Sequence, residues 1–154
     1  MDTLCFQFGA LLPCSSGSMT DEVTGLAFKA EGCFGTCPVL ILHINQSGRA
    51  TLKAISHNGP MRGIYKGTLT VEDWAALIEL IQYINPLHLK RHYAVSWTDD
   101  QSYELTLDLK SGRQISTYDY GGLGTIGLEV LYKRILALRF SQKWKRRAKH
   151  VRRY

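Results

Sequence analysis

Cys33 and Cys37, in the run Gly32-Cys33-Phe34-Gly35-Thr36-Cys37-Pro38, have the most chemistry to offer in this chain. Two thiols four positions apart can be a redox couple, half of a metal site, a small disulfide or a packed turn. Redox dithiols work best at a helix N-terminus, where the dipole lowers the thiol pKa. Here Val39 to Asn45 follows, rich in β-branched residues and leucine, and reads as a strand. A zinc site needs about four ligands. Cys5 and Cys14 lie in an N-terminal leader and His43 inside the strand, so the set would be improvised. The pair reads as a structural turn or local disulfide built from Cys33, Gly35, Cys37 and Pro38, with no metal and no cofactor expected.

Other constellations are weaker. Gly122-Leu123-Gly124-Thr125-Ile126-Gly127 matches the spacing of a dinucleotide-binding loop after a strand and before a helix. No second parallel strand follows, and no acid stands some twenty residues on to hold a ribose, so the glycines read as a sharp strand-to-helix turn. His88 and His92 would share a helix face at their spacing of four, but Pro86 breaks the preceding helix and Lys90 and Arg91 repel a divalent cation. They read as an exposed loop. Glu104 and Asp108 alternate with apolar residues as solvent-facing strand positions do, and no nucleophile-elbow motif accompanies a Ser/His/Asp order. No catalytic residue is assigned.

The net charge of +6 is uneven. From Arg139 onward there are eight Lys and Arg and no acid, against eleven basic and thirteen acidic residues from Met1 to Leu138, so the body carries −2 and the tail +8. Any affinity for nucleic acid or anionic surfaces must come from the tail. Lys143, Trp144, Lys145, Arg146, Arg147, Lys149, Arg152 and Arg153 are the candidate partner-binding residues, with Trp144 and Tyr154 placed to stack on bases while cations meet phosphates.

The elements that position these residues follow from pattern. Residues 1–21 form a loose leader, 22–140 a single domain and 141–154 the basic tail. The leader resembles a signal peptide poorly: Asp2 stands where a cation belongs and Gln7 interrupts the apolar stretch. A cytoplasmic location is the expectation, and no apolar run reaches the about 18 residues of a membrane span. Val23 to Lys29, Val39 to Asn45, Arg49 to Ser56 and Gly63 to Leu69 read as a strand meander. Thr70-Val71-Glu72-Asp73 caps a helix whose Trp74, Leu77, Ile78, Ile81 and Ile84 form one stripe, and Asn85-Pro86 ends it. Tyr103 to Leu109 alternates apolar and polar without error and pairs with Gln114 to Tyr120 across a turn. A second helix from about Thr125 carries Leu128, Leu131, Ile135 and Leu138. The result is an α+β domain with an antiparallel sheet of about six strands and two helices packed on one face.

The order of these elements, with Cys33-Phe34-Gly35-Thr36-Cys37-Pro38-Val39, Gly63-Ile64-Tyr65-Lys66-Gly67 and Tyr120-Gly121-Gly122, resembles a bacterial family of unknown function recognised by a Cys-Phe-Gly-x-Cys-Pro signature. The resemblance covers about Val23 to Leu138. Members of such families commonly look secreted or lipid-anchored, with an aliphatic or aromatic residue two places after the proline, which Leu40 supplies. This chain departs in its poor export signal and its basic tail. The resemblance implies a grouping by fold and no activity.

One domain of this size without a visible catalytic set leads to a non-enzymatic protein-binding domain, most concretely an inhibitor or immunity-type protein neutralising a toxin or enzyme. The alternatives are nucleic-acid or anionic-surface binding through the tail, and a thiol-dependent enzyme using the cysteine turn.

Overall fold

A computed structural model describes residues 21–148. The order is β1 (Val23–Ala30), β2 (Val39–Asn45), β3 (Arg49–Ser56), β4 (Gly63–Thr68), α1 (Val71–Ile84), a 3-10 turn (Pro86–His88), β5 (His92–Ala94), β6 (Ser102–Leu109), β7 (Gln114–Tyr120), α2 (Ile126–Ser141) and β8 (Lys145–Arg146). All eight strands form one sheet in the order β5-β7-β6-β1-β2-β3-β4-β8. The meander, the β6–β7 hairpin and both helices lie where periodicity places them.

Alternation decides the layers. On β1, Leu26, Phe28 and Ala30 point one way, and their register partners Ile44, Leu42 and Leu40 on β2 and Leu107 and Leu105 on β6 point with them. These residues form one buried cluster with Leu77 and Ile81 of α1 and Leu128, Leu131, Tyr132, Ile135 and Leu138 of α2. Both helices therefore cover the same face. The other face carries Lys29, His43, Lys53, Lys66, Glu104 and Asp108 and stays open to water, as one side of an antiparallel sheet can.

The helix starts are chemically explicit. Thr70 and Thr125 are N-caps whose side chains accept from the amides of Asp73 and Leu128. Asn85 takes the left-handed conformation that ends α1 (φ 57°). The Asp73 carboxylate also accepts from the Gln142 amide at 2.6 Å, tying the start of α1 to the end of α2. That bond first, and Thr70 second, hold the Asp73 carboxyl below the usual carboxylate range.

The sheet departs from the sequence reading in two places. It has eight strands rather than about six, and it is mixed: β5 runs parallel to β7. Three residues are too few for a periodic signal, and only the docking of Tyr93 and Val95 beside β7 makes this segment a strand. β8 lies in the basic tail, where no apolar alternation announces it, and pairs Lys145 with Lys66 and Arg146 with Tyr65. The sheet thus reaches beyond residue 140.

Trp144 is what brings the tail to the sheet edge. Its indole N–H donates to the Leu138 carbonyl at 3.0 Å, and its ring packs against the core cluster over Gly67. A Cβ at Gly67 would stand 2.9 Å from the ring and 3.0 Å from the Lys143 carbonyl, so only glycine lets the strap close. Gly67→Ala should therefore destabilise the domain by about 1–3 kcal/mol. Urea unfolding checks this, and the cost should shrink in a Trp144→Ala background.

Candidate functional site

Two surfaces stand out. The first is the end of the sheet where β1 turns into β2. A disulfide joins Cys33 to Cys37, closing the turn on itself. The closed loop is then docked against the segment before β6. The Phe34 amide donates to the Asp99 carbonyl at 3.2 Å, the Gln101 side-chain amide to the Pro38 carbonyl at 2.7 Å, and the Glu31 amide to the Ser102 carbonyl at 2.9 Å. Phe34 projects from this frame and is 91% exposed, while Trp97 on the facing segment is 53% exposed. Trp97 is oriented by its indole N–H donating to Asp100 at 2.7 Å. Glu31 lies at the loop's base, and its hydrogen bond from Lys29, then that from the Ser102 hydroxyl, hold its carboxyl below the ordinary range. The result is a rigid apex with two outward rings.

Behind the apex lies a buried polar group that no sequence pattern singled out. Asp119 faces the core side of β7 and is fully buried. One oxygen accepts from the Gly124 amide at 3.0 Å, which fixes the glycine turn entering α2. The other oxygen and the Tyr132 hydroxyl have no hydrogen-bond partner of good geometry. Burial first, and the Asp119 charge second, push the Tyr132 hydroxyl well above the ordinary phenol range. Tyr132 stays protonated and stacks on Tyr103 at 4.6 Å. Tyr103 in turn donates to Gln101 at 2.6 Å, so this core supports the residue that anchors Pro38.

The second surface is a groove of about 890 Å³ on the open sheet face. Its floor is Gly25, His43 and Thr51, and Arg49, Lys66, Lys143 and Lys145 stand along one side. Asp108 stands on the other: a Cβ at Gly25 would lie 2.7 Å from one Asp108 oxygen, and the other accepts from Gln114 at 2.7 Å.

The family comparison concerns most of this architecture, since the family model for a domain of unknown function, DUF6438, matches residues 24–139. The chain belongs to the DUF6438 family. Compared with curated proteins it has no match. The match includes the apex and the core of this DUF6438 domain and ends before β8, so the residues that complete the groove lie outside the matched span.

The candidates named from sequence are dispersed in this DUF6438 domain. Cys33, Gly35, Cys37 and Pro38 sit together at the apex. Lys143 and Lys145 line the groove, but Trp144 between them points to the core, because strand alternation sends neighbours to opposite faces. Arg146 is exposed beside Gly63, and Arg147 is fixed by its amide donating to the Ile64 carbonyl at 2.8 Å. Lys149, Arg152 and Arg153 lie outside the described residues, as do Tyr154 and most of the leader. His88 is in the 3-10 turn and His92 opens β5, stacked on Tyr118 at 5.2 Å, so the two share no helix face. Among the described residues no group of three or more His, Cys, Asp or Glu has metal-holding spacing, and no helix is long and apolar enough to cross a membrane. Phe34 and Trp97 were not singled out in advance, because exposure of an aromatic ring is a tertiary fact.

Because the Cys33–Cys37 loop is short, its closure contributes about 2 kcal/mol or less. The double substitution Cys33→Ser, Cys37→Ser should leave a folded domain with the same core and a slightly lower midpoint. Amide exchange should show the loss of protection confined to the apex, at Phe34 and Gly35.

Proposed function

We propose that the chain is a non-enzymatic protein-binding domain that masks or inhibits a partner, in the manner of an immunity protein facing a toxin or enzyme, and that the apex makes the contact. One observation carries this reading: Phe34 stands almost fully in water on a loop that is closed covalently and docked by backbone hydrogen bonds. An exposed ring on a mobile loop loses much of its binding energy to ordering. On a pre-ordered loop that cost falls, and burying the ring in a partner's pocket is worth about 1.5–3 kcal/mol. Aromatic anchors of this kind dominate interface energetics.

The thiol-enzyme alternative requires a free thiolate, whereas Cys33 and Cys37 are bonded to each other. Nucleic-acid binding through the tail loses one of its two candidate stacking rings, since Trp144 is turned inward, and Tyr154 lies outside the described residues. Cys33-Phe34-Gly35-Thr36-Cys37-Pro38 serves, in this proposal, as the recognisable signature of a bacterial group within the family. A cytoplasmic site of action is compatible with it only if the docking hydrogen bonds hold the apex without the disulfide, because reducing compartments keep such pairs as thiols.

The test is affinity capture from native lysate of the source cells, followed by calorimetric titration of the identified partner. Phe34→Ala should weaken binding about tenfold or more while leaving the thermal midpoint unchanged. A partner bound equally tightly by both proteins would rule out the apex. An activity abolished by Cys33→Ser in a protein that still folds would rule out the non-enzymatic reading.

A further inference from the structure

The groove on the open face gathers like charges that no acidic side chain among the described residues pairs in a salt bridge. Lys66 on β4 and Lys145 on β8 are direct register partners of an antiparallel pair, and both are exposed. Side chains so placed lie about 5 Å apart at Cβ, and like charges facing each other there are destabilising. Lys143 stands two residues from Lys145 on the same side, and Arg49 on β3 closes the cluster. None of the four makes a salt bridge among the described residues, where Lys29, Lys110 and Lys133 all do. With strands about 4.8 Å apart, four cations gather within roughly 10 Å of one another.

We propose that this groove binds an extended acidic segment of a protein partner, its Asp or Glu carboxylates bridging Lys66 and Lys145 and reaching Arg49 and Lys143. The floor suits such a ligand, since Gly25 and Thr51 leave room for a chain and His43 and Thr51 offer polar contacts. Single-stranded nucleic acid fits less well. It takes much of its affinity from aromatic platforms, and among the described residues no Phe, Tyr or Trp lines the groove. Asp108 on the far side would also repel a second row of phosphates, whereas it can accept from a peptide's backbone amides. The groove shares no residue with the apex, so the inference stands whether or not Phe34 is an anchor.

The full chain is titrated with fluorescently labelled decaglutamate by anisotropy, at about 50 mM and about 200 mM NaCl. Saturable binding should weaken several-fold at the higher salt. Lys66→Glu combined with Lys145→Glu should abolish it, while Lys53→Glu, on the same face but outside the groove, should change affinity less than about twofold. Lys66→Glu alone places opposite charges across the pair, so it should hold or raise the unfolding midpoint while weakening decaglutamate about tenfold or more, which separates lost binding from lost folding. Phe34→Ala should leave decaglutamate affinity unchanged, whatever it does to an apex partner. Absence of binding at the lower salt overturns the proposal. So does tighter binding of an oligothymidylate of equal charge, or of vesicles rich in phosphatidylserine, at the same residues.

Discussion

Everything here depends on one constraint: a sheet with one largely apolar face must be covered, and the described residues supply two helices to cover it. Leu26, Phe28, Leu40, Leu42, Leu52, Leu105 and Leu107 are all essentially removed from water by α1 and α2. Because both helices lie on that side, no helix among the described residues covers the opposite face. Its residues are mostly charged, polar or small, with Ile41, Ile55 and Ile64 as partly exposed apolar exceptions. The division between a buried face and an open face follows from where these two helices pack. The partners of β1 in the middle of the sheet make that division rigid.

The same constraint explains the edges. Two helices cover the middle of eight strands better than the outer ones, and at the β4 edge the missing cover is Trp144. Its ring fills the space over Gly67, and its N–H donates to the Leu138 carbonyl at the end of α2, which also accepts from the Gln142 amide. Once that ring is seated, alternation sends Lys143 and Lys145 to the open face, opposite Lys66. The cationic cluster is thus a geometric consequence of burying a tryptophan, tolerated because the ring's packing outweighs the repulsion of exposed, screened charges. At the other end, Asn58 does comparable work. Its side-chain amide donates to the Val39 and Ser56 carbonyls at 2.8 Å and its oxygen accepts from Arg139 at 2.9 Å, so the irregular β2–β3 end is tied to α2.

What was legible in the sequence was whatever is periodic or capped. The alternation of Tyr103 to Leu109, the stripe on α1 and the Thr70 cap are local statements that survive folding unchanged. β5 and β8 were not legible, because a strand of two or three residues is defined by its neighbour and not by itself. Trp144 illustrates the difficulty: among Lys and Arg it reads as a stacking ring on a cationic arm, and only the approach of Gly67 turns it inward. Asp119 is similar. In Thr117 to Tyr120 it occupies an ordinary polar position by pattern, and its burial becomes apparent only when α2 places Tyr132 above it.

Asp119 also shows why the apex is stiff. A carboxylate removed from water costs several kcal/mol unless its oxygens are used, and here one oxygen is taken by the Gly124 amide. The other lies near the buried Tyr132 hydroxyl, which burial first and the Asp119 charge second keep protonated. The Gly124 turn, the Tyr132–Tyr103 stack and the Tyr103–Gln101 hydrogen bond lead in sequence from Asp119 toward the apex. Gln101 completes the sequence by holding the Pro38 carbonyl at the foot of the disulfide loop. Phe34 thus stands on a loop closed by Cys33 and Cys37 and joined through Gln101 to that core, while Trp97 is oriented by Asp100. Binding through that end should be limited by the fit of the partner's pocket and little by ordering of this chain.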